Sequence, residues 1–174
     1  SILVADFAKP EQVKKAIEAY IQKEPTIHIL INNTGGPASG QAIEADAEQF
    51  INAFQMHLVS NQYLVQAIVP SMKRVNYGRI INVISTSVKA PIPNLGVSNT
   101  IRGAVANWGK TLANELGQFG ITVNNVLPGL TQTGRLDSLI ESLATKADKT
   151  IDAQTEAMKL TVPARRLADP QEVA

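Results

Sequence analysis

The chain alternates between short runs of apolar, β-favouring residues and longer stretches with helical periodicity, and this alternation strongly limits the folds it can adopt. Four short runs have the composition of strands, at residues 2–5, 27–31, 79–84 and 121–126. Strands separated by helices form βαβ units around a parallel sheet. The second run is nearly continuous in apolar residues, which is typical of a strand covered on both faces. The sequence therefore predicts an α/β fold with a three-layer, doubly wound parallel sheet.

Helical periodicity, together with the residues that begin and end each stretch, predicts where the connecting helices lie. The predicted helices cover residues 10–23, 46–74, 98–119, 136–144 and 151–160. On the second of these helices, one inward stripe comprises Phe50, Phe54, His57, Asn61, Leu64 and Ile68. Pro70 should bend or end that helix, and Gly120 should end the next one. Residues 169–174 have the pattern of an N-cap and the first turn of a further helix.

Length, composition and net charge limit the classes of function that the chain can have. A length of 174 residues with 44% apolar content suits one domain over residues 1–174. The net charge of +1 makes nucleic acid an unlikely partner, and no apolar run reaches the roughly 20 residues that span a bilayer. The absence of cysteine fits a cytoplasmic protein without disulfides or thiolate chemistry. The chain starts within a strand-like run and ends in a nascent helix, so we expect it to be truncated at both ends.

Four blocks of sequence occur in an informative order, each at the end of a predicted strand. The blocks are Val4-Ala5-Asp6-Phe7, Asn32-Asn33-Thr34-Gly35, Asn82-Val83-Ile84-Ser85 and Val126-Leu127-Pro128-Gly129. Together they resemble the short-chain dehydrogenase/reductase family over nearly the whole chain. The resemblance implies a Rossmann-like domain that lacks its first βαβ part. It also implies a nicotinamide cofactor, bound where parallel strands end.

The resemblance assigns cofactor contacts to several of these residues. It implies that Asp6 and Phe7 touch the adenine, although a strand-ending Asp is also a common cap for the next helix. The turn residues Asn33, Thr34 and Gly35 would admit the ribose and adenine, since glycine allows a close backbone approach. Contacts to the nicotinamide amide or the phosphates would come from Pro128, Gly129, Thr131 and Thr133. The glycine-rich phosphate turn and the residue that selects the nucleotide are not in the chain, so the cofactor is NAD or NADP without a choice between them.

The expected catalytic group departs from the family pattern. Ser85 takes the place of the family's catalytic serine, with capping of the following loop as the alternative reading. The family's tyrosine, thirteen residues later, is Ser98 here, and its lysine, four further on, is Arg102. No tyrosine of the chain is followed by a lysine four residues later. The family's asparagine on the preceding helix aligns with His57.

These replacements suggest a rebuilt site. In this hypothesis Ser85 and Ser98 orient a carbonyl oxygen, Arg102 supplies positive potential, and His57 replenishes protons. Arginine keeps its proton at ordinary pH, whereas histidine has an ordinary pKa of about 6.5 that suits proton transfer. His57 is alternatively a satisfied core residue. Lys89 is either a cation for a substrate carboxylate or phosphate, or a solvated loop lysine.

Three functions remain open. The first is an NAD(P)-dependent oxidoreductase that interconverts a small carbonyl compound and a secondary alcohol. The second is a dinucleotide-binding protein with little or no catalytic activity, and the third is a structural subunit of an oligomer. The resemblance also implies a homo-oligomer, either a dimer or a tetramer, formed by the helices at residues 46–74 and 98–119. Their small residues would permit close approach of a second subunit, or would pack on the chain's own sheet; these are Ala104, Ala106, Gly109 and Ala113.

Overall fold

The computed structural model describes residues 1–174, which form two compact units. The first unit is Ser1–Leu127 and the second is Pro128–Ala174. Each unit is described by itself below. The interpretation of residues 1–174 as a single domain stays a prediction.

The first unit contains a three-stranded parallel sheet in the order β1-β2-β3, with helices between the strands. Its elements in chain order are α1 (Pro10–Ile21), β1 (Ile29–Asn32), α2 (Ala47–Phe54), a π-helical segment (Gln55–Val59), α3 (Ser60–Arg74), β2 (Gly78–Val83), a 3-10 turn (Thr86–Val88), α4 (Gly96–Leu116), a second 3-10 turn (Gly117–Phe119) and β3 (Ile121–Val126). Gly120 ends the helical stretch with a φ of 68°, in the left-handed region that glycine tolerates. The predicted Rossmann-like α/β fold with a parallel sheet is confirmed.

Side chains on one face of the sheet meet three helices in a single core. The core takes residues from the strands and from α1, α3 and α4, and it includes Ile17, Leu30, Val65, Ile68, Met72, Ile80, Leu112 and Ile121. On the opposite face, Ile29 and Ile31 are 54% and 60% exposed. Within the first unit, therefore, helices cover only one face of the sheet, although the apolar composition of β1 suits cover on both.

The strand predicted at residues 2–5 does not form, so that prediction is wrong. Ile2 and Val4 are 91% and 93% exposed, and no strand pairs with this segment. A strand exists only where its backbone groups pair with a neighbouring strand. Within the sheet, β1 pairs only with β2. An apolar run by itself was therefore not enough to make a strand.

The long helix predicted at residues 46–74 is present, with an irregular segment inside it. Asp46 caps its start through a reciprocal capping box with Gln49. The π-helical segment adds a residue to one turn, which rotates the buried stripe, and Phe54 is 41% exposed instead of facing inward. Pro70 does not end the helix, because α3 runs through it to Arg74.

Three asparagines form a hydrogen-bonded ladder across the sheet. Asn32, Asn82 and Asn125 are in register on β1, β2 and β3. The Nδ2 atom of Asn32 donates to Oδ1 of Asn82 at 2.9 Å, and Nδ2 of Asn82 donates to Oδ1 of Asn125 at 3.0 Å. The last amide donates to the main-chain carbonyl of Ala106 on α4 at 3.2 Å. The asparagine ladder thus joins the three strands to the helix that packs over them.

Gly109 lies directly over this ladder and packs on the chain's own sheet. A Cβ at this position would lie 2.7 Å from Nδ2 of Asn82 and 2.8 Å from Oδ1 of Asn125. Of the two readings of the small residues on α4, packing on the chain's own sheet therefore holds for Gly109.

We expect Gly109→Ala to lower the free energy of unfolding by about 1 to 3 kcal/mol, the usual cost of overpacking. Gly103→Ala is the matched control, because it lies on the same helix and a Cβ there meets nothing within 4 Å. Gly103→Ala should raise stability by up to about 1 kcal/mol through helix propensity. Urea unfolding measures both values, and equal effects of the two substitutions would contradict the packing role of Gly109.

The second unit contains two helices and a capped turn. α5 (Gly134–Lys146) and α6 (Ile151–Thr161) are capped by Thr133 and Thr150, and they confirm the predictions at residues 136–144 and 151–160. Asp169 caps a 3-10 turn at Pro170–Glu172, as the sequence predicted for the first turn of a helix. No helix in the chain combines the length and apolar character needed to cross a membrane.

A bidentate ion pair holds this last turn. Both terminal guanidinium nitrogens of Arg166 lie 2.7 Å from the carboxylate oxygens of Glu172. These bonds, together with the hydrogen bond from the N–H of Asp169, lower the pKa of Glu172 to about 2. A carboxylate with a lowered pKa contributes stability above its unfolded pKa, and that contribution is lost as the pH falls through about 2.

We expect Arg166→Gln to raise the pKa of Glu172 toward its ordinary value, as followed by an NMR titration of the side-chain carboxyl. The neighbouring Arg165→Gln is the control, because Arg165 donates to the carbonyl of Leu160 instead. An unchanged titration of Glu172 in Arg166→Gln would show that the ion pair does not persist in solution.

Candidate active site

The carboxyl ends of the three strands lie level with one another. Pairing of Asn32 with Asn82 and of Asn82 with Asn125 aligns these ends in adjacent register. Asn33 follows β1 and is exposed, and the position of a Cβ on Gly35 is open space. In parallel α/β sheets, ligands bind at this edge. The predicted turn after β1 is therefore accessible from outside the first unit.

Ser85 lies just beyond β2 with an extended backbone. Its Oγ accepts a hydrogen bond from the backbone N–H of Ser87 at 3.0 Å and caps the turn at Thr86–Val88. The capping reading is thus confirmed, and it is compatible with a catalytic role because the hydroxyl proton of Ser85 remains available for donation. Ser87 itself is buried, and its hydroxyl has no hydrogen-bond partner.

Helix α4 carries the residues in the places of the family's tyrosine and lysine. Ser98 is 7% exposed near the start of α4, and Arg102 follows one turn later. The guanidinium of Arg102 donates to the carbonyl of Val83 at 2.9 Å and to the carbonyl of Thr34 at 3.4 Å. Arg102 therefore links the end of β2 to the turn after β1.

His57 lies in the π-helical segment and is 1% exposed. Its Nδ1 is 2.5 Å from Oγ1 of Thr34, and Nδ2 of Asn61 donates to its main-chain carbonyl at 2.6 Å. Single π-helical turns within α-helices occur frequently at functional sites. The inward position predicted for His57 is confirmed. Hydrogen bonds involve both its imidazole ring and its main-chain carbonyl.

The two residues predicted near the adenine have local partners. Oδ1 of Asp6 accepts a hydrogen bond from the N–H of Ala8 at 2.9 Å, in the turn that leads into α1. The carbonyl of Phe7 accepts one from the hydroxyl of Ser60 at 2.8 Å. The side chain of Asp6 thus stabilises the turn before α1 but does not cap the helix, whose N-cap is Lys9 and which has no side-chain cap. Contact of Asp6 with a nucleotide stays a prediction.

The remaining predicted cofactor residues belong to the second unit. The hydroxyl of Thr131 donates to the carbonyl of Gly129 at 3.4 Å. The hydroxyl of Thr133 accepts a hydrogen bond from the N–H of Leu136 and caps α5. Pro128 and Gly129 lie in a segment without regular secondary structure. Their contacts with a nucleotide stay predictions.

A cavity of about 360 Å³ lies beside the end of β2 in the first unit. Its lining combines apolar side chains with two exposed lysines, Lys89 and Lys110. The apolar part includes Ile84, Val88 and Leu127. Lys89 thus lies on a cavity with a second cation, and its two readings stay predictions. No three His, Asp or Glu side chains cluster in a way that could hold a metal ion.

Three features of the site were missed by the sequence reasoning. They are the contact of Thr34 with His57, the π-helical segment and the asparagine ladder. The ladder had a sequence signal, because Asn32, Asn82 and Asn125 each lie in or next to a predicted apolar strand, where a buried amide needs a partner. The contact with Thr34 had none, since the two residues lie on separate elements.

The comparison with known families agrees with this architecture. The family model for short chain dehydrogenases matches residues 1–144. The chain belongs to the short chain dehydrogenase family.

Individual relatives are considerably longer than the chain. It is 30% identical over 174 residues to the 3-oxoacyl-(acyl-carrier-protein) reductase FabG of Vibrio cholerae, covering 99% of this chain and 66% of that protein. It is 27% identical to dehydrogenase/reductase SDR family member 4 of Bos taurus, covering 98% of this chain and 58% of the relative. The chain thus spans about two thirds or less of the length of these relatives.

Solved structures show the same fold. L-sorbose reductase from Gluconobacter frateurii, complexed with NADPH and L-sorbose, superposes with a TM-score of 0.86 at 25% identity. The match covers 98% of this chain and 65% of that one. An actinorhodin polyketide ketoreductase with NADPH superposes with a TM-score of 0.88 at 24% identity, over 97% of this chain and 66% of that chain, and this similarity concerns the fold alone.

Proposed function

We propose that the protein is an NAD(P)-dependent oxidoreductase that interconverts a carbonyl compound and a secondary alcohol with a modified active site. The observation that carries this proposal is the placement of Ser85. Its hydroxyl is oriented by the N–H of Ser87 and keeps its own proton for a ligand, at the sheet edge where the accessible turn at Asn33 also lies. Membership in the short chain dehydrogenase family supports the same chemistry.

The residues present fit part of a nicotinamide nucleotide site. The exposed amide of Asn33 and the open space at Gly35 suit a ribose and adenine, with Asp6, Phe7 and Thr34 nearby in the predicted set. The predicted set of nucleotide contacts also includes Pro128, Gly129, Thr131 and Thr133. NADPH or NAD+ in relatives' structures supports either nucleotide as cofactor. When bound, the nucleotide supplies or accepts the hydride.

The chain's own side chains bind and polarise the substrate in this proposal. The hydroxyl of Ser85 donates to the substrate oxygen, and Ser98 is the second hydroxyl on the site. Arg102 adds positive potential but keeps its proton, so it stabilises charge without moving a proton. His57 is the proton reservoir, because it is the titratable side chain held between Thr34 and Asn61.

One observation favours a second function, a dinucleotide-binding protein with little or no catalytic activity. The guanidinium of Arg102 donates to two main-chain carbonyls, those of Val83 and Thr34. These bonds have a structural purpose that is independent of any substrate. With Ser98 in the place of the tyrosine, such a site would keep its hydrogen-bonded structure but lack the family's proton donor.

Two measurements separate these functions. The chain, and the same chain within its full-length protein, are titrated with NADH and NADPH by fluorescence, and turnover is then followed at 340 nm with ketoses, ketoacyl thioesters and simple ketones. Binding with turnover supports the oxidoreductase, and binding without turnover supports the second function. If neither nucleotide binds to either form, both proposals fall, and the structural-subunit reading is favoured.

We also propose that α3 and α4 form the contact surface of a homo-oligomer. A groove of about 460 Å³ between them is lined largely by apolar side chains, including Val65, Val69, Pro70, Leu112 and Leu116. A second copy that brings the same two helices would cover this groove in a symmetric contact. Light scattering coupled to size-exclusion chromatography measures the oligomeric state. The homotetramer and the cytoplasmic location stay predictions.

A further inference from the structure

Three of the positions at which the chain departs from the family pattern around this site meet at Thr34. Thr34 replaces an alanine, His57 an asparagine and Arg102 a lysine. Oγ1 of Thr34 lies 2.5 Å from Nδ1 of His57, and the carbonyl of the same threonine accepts a hydrogen bond from Arg102. The three residues are distant in sequence and lie on three separate elements, so Thr34 is the point at which these elements meet.

We propose that Thr34 is a positioning residue for His57 and that Arg102 anchors it. The inference rests on the proposed function, in which His57 replenishes protons. The hydroxyl of Thr34 fixes the orientation of the imidazole ring, and Arg102 holds the backbone of Thr34 in place. The Arg102 bond to the carbonyl of Val83, at 2.9 Å, ties the same unit to the strand end that precedes Ser85.

A hydrogen bond at Nδ1 decides which ring nitrogen of a neutral histidine carries the proton. If the hydroxyl of Thr34 donates to Nδ1, the proton lies on Nε2; if Nδ1 donates to the hydroxyl, Nε2 is the basic nitrogen. In either case the hydroxyl of Thr34 is bonded to one ring nitrogen only, so its removal should change the relative stability of the two tautomers. Proton transfer requires one defined donor or acceptor atom at a defined place, and the threonine supplies that definition.

The backbone of His57 is also held. The side-chain amide of Asn61, at the start of α3, donates at 2.6 Å to the main-chain carbonyl of His57, which lies in the π-helical segment. The ring at 1% exposure cannot rotate into solvent without disturbing the surrounding packing. The hydroxyl of Thr34 therefore biases the tautomer of a ring that the packing restricts, on a backbone that Asn61 holds.

The test compares Thr34→Val, which keeps the volume and removes the hydroxyl, with Thr34→Ser, which keeps the hydroxyl. Ring nitrogen shifts are recorded by NMR on protein labelled with 15N-histidine. The chain has only two histidines, and the exposed His28 is an internal reference. Thr111→Val is the matched control, because its exposed hydroxyl donates to the carbonyl of Asn107 within its own helix.

We expect His57 to show one tautomer in the unsubstituted chain, in Thr34→Ser and in Thr111→Val. In Thr34→Val the two ring nitrogen shifts of His57 should move toward each other as both tautomers become populated, while those of His28 stay unchanged. Unchanged His57 shifts in Thr34→Val would overturn the proposal. Thr34→Ala serves the same purpose if the valine variant does not fold.

This readout needs neither nucleotide nor substrate, so its failure is distinguishable from failure of the proposed function. Where turnover is measured, Thr34→Val should lower kcat about fivefold to tenfold, the effect of one lost hydrogen bond. Thr34→Ser should restore kcat. A loss that the serine does not restore would contradict the positioning role of the hydroxyl.

Discussion

Replacing Asn82 with alanine should lower the free energy of unfolding by about 3 kcal/mol, a larger effect on stability than that of the other substitutions described above. Asn82 is 1% exposed and makes two side-chain bonds, accepting from Asn32 and donating to Asn125. Its removal leaves the amide of Asn32, which is 3% exposed, without its acceptor. A buried polar group that loses its partner costs more than the bond itself contributed, because water does not replace the partner.

Urea or guanidinium unfolding followed by circular dichroism measures this loss. Asn124→Ala is the matched control, because Asn124 is an exposed asparagine on β3 outside the asparagine ladder. Asn124→Ala should change stability by no more than about 0.5 kcal/mol. Similar losses in the two variants would show that the ladder does not stabilise the sheet.

Replacing Ser85 with alanine should lower kcat by about 10²-fold to 10³-fold if the proposed oxidoreductase activity is correct. The loss comes from the missing donor to the substrate oxygen, whose negative charge increases during reduction. Nucleotide affinity should not change, because the predicted nucleotide contacts come from other residues. Stopped-flow or steady-state assays at 340 nm measure kcat, and fluorescence titration measures the affinity.

The capping role of Ser85 requires separate controls. Loss of the bond from Ser87 could loosen the turn at Thr86–Val88 and lower activity indirectly. Ser85→Thr restores both the acceptor and the donor, and it should recover much of the activity. Thr86→Ala removes an exposed hydroxyl from the next residue and should leave kcat unchanged. Unchanged turnover in Ser85→Ala would limit Ser85 to capping.

The two main proposals assign different roles to the same bonds of Arg102. In the oxidoreductase, the guanidinium anchors Thr34 and adds positive potential for the substrate oxygen. In a binding protein without catalysis, the bonds to Val83 and Thr34 are the whole of its function. Turnover in the full-length protein decides between them, while the tautomer of His57 tests the positioning of that ring in either case.

Much of the fold was predictable from local patterns. The apolar runs at β1, β2 and β3 and the helical periodicity of α1, α4 and α5 lie within a few residues of the observed elements. Caps at Asp46 and Asp169 also formed as their residue types indicate. These features succeed because capping and amphipathic burial act over a few neighbouring residues.

The same local reasoning failed where a partner or a change of helical register decides the outcome. Residues 2–5 have strand composition, yet no neighbouring strand pairs with them. Phe54 has the right spacing for the buried stripe, yet the π-helical segment rotates it outward. The local pattern of apolar residues does not indicate either outcome.

The sequence by itself determined the parallel α/β architecture and the positions of the strand ends, and it predicts that Ser98 and Arg102 take the places of the family's tyrosine and lysine. Only the tertiary structure decided that Thr34, His57 and Arg102 form one hydrogen-bonded unit. The reason is physical: periodicity and caps depend on residues within one or two turns. A hydrogen bond between separate elements depends instead on how the whole chain packs.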